Sequence, residues 1–193
     1  MSISIAEREL GKVAAEVGVC VKCALSESRA NAVPGEGPVT AEVMIIGEAP
    51  GGTEDAQGRP FVGAAGRNLD GLLSKGGLER GRVFITNVVK CRPPGNRRPR
   101  RGELDACHPY LRRQIELIKP RVIVLLGDTA LKEFFPESGL GEMHGKLTKR
   151  GDRSFFPTYH PASVIYNRSL ASTLEEDFTK LRTAVQQHSS SMS

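Results

Sequence analysis

The chain alternates between short, almost continuously apolar runs and longer stretches in which apolar positions recur every three or four residues. The first kind occupies 42–47, Val83–Val89, Arg121–Leu126 and Ser154–Tyr159. Such runs, rich in β-branched residues, read as strands covered on both faces, as in a parallel sheet. The second kind predicts helices over Ile3–Val17, Ala64–Lys75, Glu103–Ile118 and Leu170–Gln187, and Gly127-Asp128-Thr129-Ala130 opens a further one. Gly18 and the Gly76-Gly77 pair stop two of these helices. The stretches 30–40 and 139–151 are rich in glycine, proline or polar residues and read as irregular. Strands alternating with helices predict an α/β fold, a three-layer α/β/α sandwich around a mostly parallel four-stranded central sheet. One domain is expected over 1–188, with a disordered tail at 189–193.

This pattern places three polar side chains at the carboxyl ends of strands, where ligands bind in open α/β sheets. Glu48 lies in Gly47-Glu48-Ala49-Pro50-Gly51 after the first run, Asn87 near the end of the second, and His160 just past the fourth. Each has a plainer reading: a solvated turn, a satisfied structural amide, a structural imidazole. Phe61, set among Gly58, Pro60 and Gly63 outside any amphipathic pattern, is either a core anchor or a flat ring awaiting a planar ligand. Asp128 and Thr129 cap their helix and could also face an anion.

Composition narrows the class. The 193 residues are 39% hydrophobic and 25% charged, which suits a soluble globular protein. No apolar run approaches the roughly 20 residues of a membrane span. The N-terminus lacks the basic start and apolar stretch of a signal peptide, so an intracellular location, cytoplasm or nucleoid, is expected. A net charge of +5 makes an anionic partner plausible. Its distribution says more: Lys90, Arg92, Arg97, Arg98, Arg100 and Arg101 fall in twelve residues without an acid, among Pro93, Pro94, Gly95 and Pro99. Six cations on one loop repel each other unless they face polyanion or solvent, and phosphate contact is the expectation. The chain has four cysteines: Cys20 and Cys23 in a C-x-x-C pair, with Cys91 and Cys107 far downstream. In an intracellular protein this points to one four-thiolate metal site, with a redox pair as runner-up. Spacing leaves zinc and iron–sulfur both open, and base rates lean to zinc.

Four motifs in order then carry a resemblance. Gly47–Gly51 with Glu54-Asp55, Gly58-Arg59-Pro60-Phe61-Val62-Gly63, Thr86-Asn87-Val88-Val89-Lys90-Cys91-Arg92-Pro93-Pro94, and Pro157-Thr158-Tyr159-His160-Pro161-Ala162-Ser163, together with the four cysteines, resemble the family 4 uracil-DNA glycosylases. The resemblance runs from Cys20 to the last helix. It implies the uracil-DNA glycosylase-like fold, a monofunctional glycosylase that flips uracil out of DNA, and a 4Fe-4S cluster on Cys20, Cys23, Cys91 and Cys107. The cluster replaces the leaning to zinc and would hold the basic loop. Phe61 would stack on the base, and Asn87 would accept from N3–H and donate to O4. His160 would stabilise charge on O2, and the backbone of Ala49 would meet the uracil edge. In the best-known branch of the superfamily an aspartate orients the water at the position taken here by Ala49. Glu48 is therefore the candidate for that task or for stabilising the sugar cation, with Glu54 and Asp55 secondary. Arg92, Arg97, Arg98, Arg100, Arg101, Ser163 and Tyr166 would contact DNA, with Ile165 or Tyr166 wedging into the gap left by the flipped base. The loop 92–101 has no histidine, so turnover rather than covalent attachment to abasic DNA is expected.

The expected partner is uracil-containing DNA, single- or double-stranded. A sliding clamp is a candidate protein partner, no membrane is involved, and a monomer is the default. Two rivals stand beside this reading. A noncatalytic metal-stapled nucleic-acid-binding protein of the same fold would not account for three polar groups on one strand-end edge. A flavodoxin-like enzyme acting on free nucleotides would not need an open basic loop.

Overall fold

The computed structural model describes residues 3–190, with side chains through Gln186. Helix α1 (Ile5–Gly18) is capped by Ser4, whose hydroxyl accepts from the Glu7 N–H while the Glu7 carboxylate accepts from the Ser4 N–H. A short helix α2 (Leu25–Ser28) follows, and the chain then crosses the sheet edge to reach strand β1 (Val43–Gly47). Helices α3 (Gly52–Gln57) and α4 (Ala64–Lys75) lead to β2 (Phe84–Asn87). Helix α5 (Arg101–Ile118) precedes β3 (Val122–Leu126), and α6 (Asp128–Phe134) and α7 (Leu140–Met143) precede β4 (Thr148–Arg150) and β5 (Arg153–Thr158). The chain ends in α8 (Ser163–Tyr166) and α9 (Leu170–Ser190). Of the expected tail, 189 and 190 continue α9, and 191–193 lie outside the described residues.

The strand order is β2-β1-β3-β5-β4, parallel except for the β4–β5 pair. The sheet therefore has five strands rather than four. The extra strand is the polar Thr148-Lys149-Arg150, which pairs back on β5 through a hairpin at Gly151-Asp152 and carries no apolar signal. It lies inside the segment read as irregular.

Both faces of the sheet are covered. Val43, Ile45, Ile85, Val122, Val124 and Phe156 pack against Leu69 and Leu73 of α4 and Leu174, Phe178 and Leu181 of α9. Met44, Ile46, Phe84, Ile123, Leu125 and Phe155 pack against Leu111, Ile115 and Ile118 of α5 and Leu131 of α6. This two-sided burial is why the strands read as continuous apolar runs. A third cluster joins Val13 and Val17 of α1 to Tyr110 of α5 around the cysteines. Edge strand β2 is closed by a bridge between Glu36 and Ile85, so the segment read as an irregular surface run protects an otherwise open edge. Among the described residues no helix is long and apolar enough to cross a membrane.

Candidate functional site

The parallel strands β1, β2, β3 and β5 all end on one edge, and a cleft of about 410 Å³ opens there. That volume lies within the range of small-molecule sites. Glu48, Ala49, Phe61, Asn87 and His160 all line it, so the structure brings together the five residues singled out for it from the sequence. Gly47 is what lets them converge: a Cβ there would stand 2.5 Å from Asn87 Oδ1 and 2.6 Å from the Phe61 ring. The amide and the ring thus close over the last residue of β1, and any side chain would push them apart.

Asn87 is the last residue of β2 and is 1% exposed. Its Oδ1 is buried without a hydrogen-bond partner among the described residues. An unmet buried acceptor costs roughly 1–3 kcal/mol, which a ligand donor would recover. The Phe61 ring lies 5.6 Å from the His160 ring, centroid to centroid, at 31°. His160 Nδ1 accepts from the Ala162 N–H at 3.1 Å, which leaves the ring proton on Nε2. Burial holds the imidazole pKa down at about 4, with the Glu54 carboxylate offsetting only part of that shift, so the ring is neutral at physiological pH.

The acidic residues divide sharply. Glu48 is partly exposed to the cleft and accepts from the Thr129 hydroxyl. Thr129 was expected to cap α6; that helix instead starts at Gly127 without a side-chain cap, and the hydroxyl is spent on Glu48. Glu54 and Asp55, the secondary candidates, are engaged elsewhere. Glu54 Oε1 accepts from the Val62 and Gly63 N–H groups at 2.9 and 2.7 Å, and Asp55 Oδ1 accepts from the Ala30 N–H at 3.0 Å. Both carboxylates hold loops in place.

The basic loop is less uniform than its charge suggests. Lys90 does not belong to it: 1% exposed, its ammonium donates to Thr86 Oγ1, the Asn87 carbonyl at 2.8 Å and Gln114 Oε1 at 2.7 Å. Three neutral acceptors saturate its three donors. Arg97 makes a two-pronged pair with buried Glu103, and Arg101 pairs with Asp105 at 2.8 Å. Arg98 stands 3.8 Å from Asp128, and Arg92 donates to Asn96 Oδ1 at 2.8 Å. Arg100 is exposed. Arg97, Arg98 and Tyr166 border the cleft, and Tyr166 and Ile165 are 89% and 53% exposed. The Ser163 hydroxyl is buried without a partner among the described residues, away from the exposed surface of its loop.

Sequence reasoning missed Asn96 and Thr129, and it read Asp128 only as a cap. Asn96 lines the cleft with φ of 55°, at the end of a Pro-Gly turn where asparagine tolerates the left-handed region. That turn was the one available signal. The Thr129–Glu48 contact spans 81 positions, and nothing local announces it.

Behind the cleft, Cys20, Cys23, Cys91 and Cys107 line a single cavity, with Arg29, Lys90 and Tyr110. Cys91 and Cys107 are buried, and all four are free thiols. Arg29 Nη1 donates to Cys91 Sγ at 3.0 Å, and the Lys90 backbone N–H donates to Cys107 Sγ at 3.3 Å. Burial pushes the Cys107 thiol up to about 11 and raises Cys91 as well. Donors aimed at sulfurs that burial keeps protonated fit a set of ligands awaiting a positive centre.

Comparison with known proteins agrees with this geometry. A model of the uracil DNA glycosylase superfamily matches residues 34–186. The chain is 51% identical to a type-4 uracil-DNA glycosylase of Sulfurisphaera tokodaii over 90% of its length and 83% of the relative's. It is 47% identical to one from Saccharolobus solfataricus, over 91% and 86%, and 48% identical to one from Pyrobaculum aerophilum, over 82% and 85%. With a cleft of that design at the strand ends and this degree of similarity across nearly its whole length, the chain belongs to the type-4 uracil-DNA glycosylases of that superfamily.

Proposed function

We infer that the chain is a hydrolase that removes uracil from DNA, releasing the free base and leaving an abasic site for base excision repair. The observation that carries the site reading is Asn87 Oδ1, a buried acceptor without a partner beside the Phe61 ring. Uracil offers N3–H to that oxygen and O4 to the amide nitrogen. Cytosine offers a bare N3 and an amine, so every polar group would be mismatched in a buried place, the arrangement that rejects a wrong base most strongly. The nucleotide leaves the stack at a cost of a few kcal/mol, and stacking on Phe61 returns part of it.

His160, neutral with its proton on Nε2, donates to uracil O2 as the glycosidic bond lengthens and charge builds on the leaving base. That hydrogen bond strengthens only in the transition state, which is where it accelerates cleavage. The sugar becomes cation-like and takes up water at C1′. Ala49 has no carboxylate to orient that water, and its contribution is its main chain against the base. Glu48, steadied by Thr129, is the group that positions water or stabilises the sugar.

The four cysteines are proposed to hold a 4Fe-4S cluster. Among the described residues no three His, Cys, Asp or Glu side chains stand close enough to share one metal ion, yet the four sulfurs share one cavity. Four thiolates on a single zinc would lie about 3.8 Å apart, and a cluster spreads its ligands more widely. When bound, it supplies four iron–thiolate bonds that tie the turn after α1 to the loop after β2 and to α5. No step of the hydrolysis passes through it. A brown protein absorbing in the visible supports the assignment; a colourless one with stoichiometric zinc overturns it.

Arg92, Arg98 and Arg100 are offered to phosphates, while Arg97 and Arg101 reach DNA only by exchanging an ion pair. Tyr166 or Ile165 enters the duplex gap, and Ser163 steadies that loop. The enzyme works as a monomer on intracellular DNA in one domain, and a sliding clamp is its candidate protein partner. The deciding assay incubates the protein with a uracil-containing oligonucleotide, single- or double-stranded, and cleaves abasic sites with alkali. Scission at uracil and none at cytosine is expected; no scission of either substrate overturns the reading.

A further inference from the structure

Phe61 adopts a backbone conformation that a residue with a Cβ avoids, φ of 50° in the left-handed region. Such a conformation persists only when its surroundings over-determine it. On the downstream side Glu54 holds the Val62 and Gly63 N–H groups. The Phe61 carbonyl itself lies so close to α4 that a Cβ on Gly66 would stand 1.9 Å from its oxygen. On the upstream side the Pro60 carbonyl accepts from Arg80 Nη2 at 2.7 Å.

Arg80 lines no part of the cleft, yet its guanidinium has three partners. Beside Pro60 it reaches Glu36 Oε1 at 3.0 Å and Asp70 Oδ1 of α4 at 2.8 Å. Glu36 also accepts two hydrogen bonds from Arg59, at 2.9 and 3.2 Å. The backbone of Glu36 pairs with Ile85 in both directions, at 3.0 and 2.8 Å. Ile85 is two residues before Asn87 on the same strand. A continuous chain of contacts therefore runs from the strand that carries the amide, through Glu36 and Arg80, to the carbonyl just before the ring.

We propose that Arg80 is a positioning residue that fixes the Phe61 ring relative to the Asn87 amide, and with it the width of the slot that takes the base. The inference rests on the reading of Phe61 as the ring that stacks on uracil. A planar fork is what the task needs: one head must serve two carboxylates and a carbonyl in fixed directions, which a lysine cannot do. Partly exposed ion pairs of this kind contribute little to stability, so the effect of removing Arg80 falls on placement.

A double-mutant cycle tests this with Arg80→Met and Phe61→Leu, assayed on a uracil oligonucleotide well below the melting temperature of each variant. Arg80→Met is expected to lower kcat/KM about 10- to 100-fold, the cost of a misplaced group. It is also expected to weaken inhibition by free uracil while leaving affinity for abasic DNA unchanged. In the Phe61→Leu background it should cost less than about threefold, because the ring it places is gone. Equal losses in both backgrounds, or weaker binding of abasic DNA in step with uracil, overturn the proposal with the Phe61 reading intact. If Phe61→Leu alone leaves cleavage unchanged, the Phe61 reading falls first. Should Arg80→Met not fold, Arg80→Lys serves in the same cycle: a coupled partial loss supports the proposal and an uncoupled one overturns it.

Discussion

The cleft and the cysteine pocket share a wall, since Asn87 faces one and Lys90 and Cys91 line the other. They are finished in opposite ways. The cleft is complete on folding: its imidazole is neutral, its loops are tied by Glu54 and Asp55, and one unmet acceptor points to the missing ligand. The pocket is unfinished without a positive centre, because burial alone leaves its thiols protonated. The first is built by sheet topology, which delivers strand ends to one edge whatever the loops do. The second gathers segments 16, 68 and 84 positions apart in the chain, between Cys91 and Cys107, Cys23 and Cys91, and Cys23 and Cys107. Such long closures need a bond at their ends. The difference teaches that precision resides in the cleft and cohesion in the pocket.

That contrast can be broken from either side. Cys107→Ala should have the largest effect, removing the visible absorbance, lowering the melting temperature sharply and taking activity with it, since metal affinity is folding free energy. A variant that lost its colour but cleaved uracil at the normal rate would show that the pocket does not support the cleft. Asn87→Asp should do the reverse. Uracil kcat/KM should fall about 10³-fold or more with absorbance and melting temperature unchanged, because a carboxylate faces O4 where a donor stood. Unchanged cleavage would remove Asn87 from the base pocket. Glu48→Gln is expected to cost about tenfold in kcat with KM preserved, a modest share for a group that positions water beside a leaving anion already stabilised. Near-normal kinetics would reduce Glu48 to scaffolding.

The smallest effect is expected from pH. His160 has a folded pKa of about 4 against 6.5 when unfolded. The chemical step should therefore change less than about twofold between pH 5 and 8, and a rate tracking a pKa near 6.5 would show a cationic imidazole instead. The sign for stability follows from the same shift. Between pH 6.5 and 4 the unfolded chain binds the proton and the folded one does not, so His160 weakens the fold as pH falls through that window. His160→Asn should therefore lose less stability than the native chain on going from pH 7 to 4.5, as denaturant titration would measure.

Several elements were legible because their signal is local. Met44-Ile45-Ile46 and Val122–Leu126 announce buried strands, and a polar residue that ends such a run must stand at the sheet edge. Glu48, Asn87 and His160 were found this way, before any family was named. The strand Thr148–Arg150 was not, because three polar residues on an outer edge carry no apolar pattern. Lys90 looked like its arginine neighbours in sequence, and only the fold brings Thr86, Asn87 and Gln114 around its ammonium. The same holds for Glu54 and Asp55, whose adjacency to the opening turn suggested chemistry and whose partners proved to be backbone amides.

By itself the sequence determined the layered α/β fold, the edge on which the site lies, the four sulfur ligands and, through its motifs, the family. These depend on patterns of burial and on residue identity, which the chain carries locally. Only the tertiary structure decided which charges are spent on the protein and which are left for a ligand. The Thr129–Glu48, Arg97–Glu103 and Arg80–Pro60 contacts, the buried Lys90 and the unpaired Asn87 oxygen all belong to that second kind. The reason is physical: a polar group's role is set by whether its partners are water, protein or nothing, and those partners arrive from distant parts of the chain.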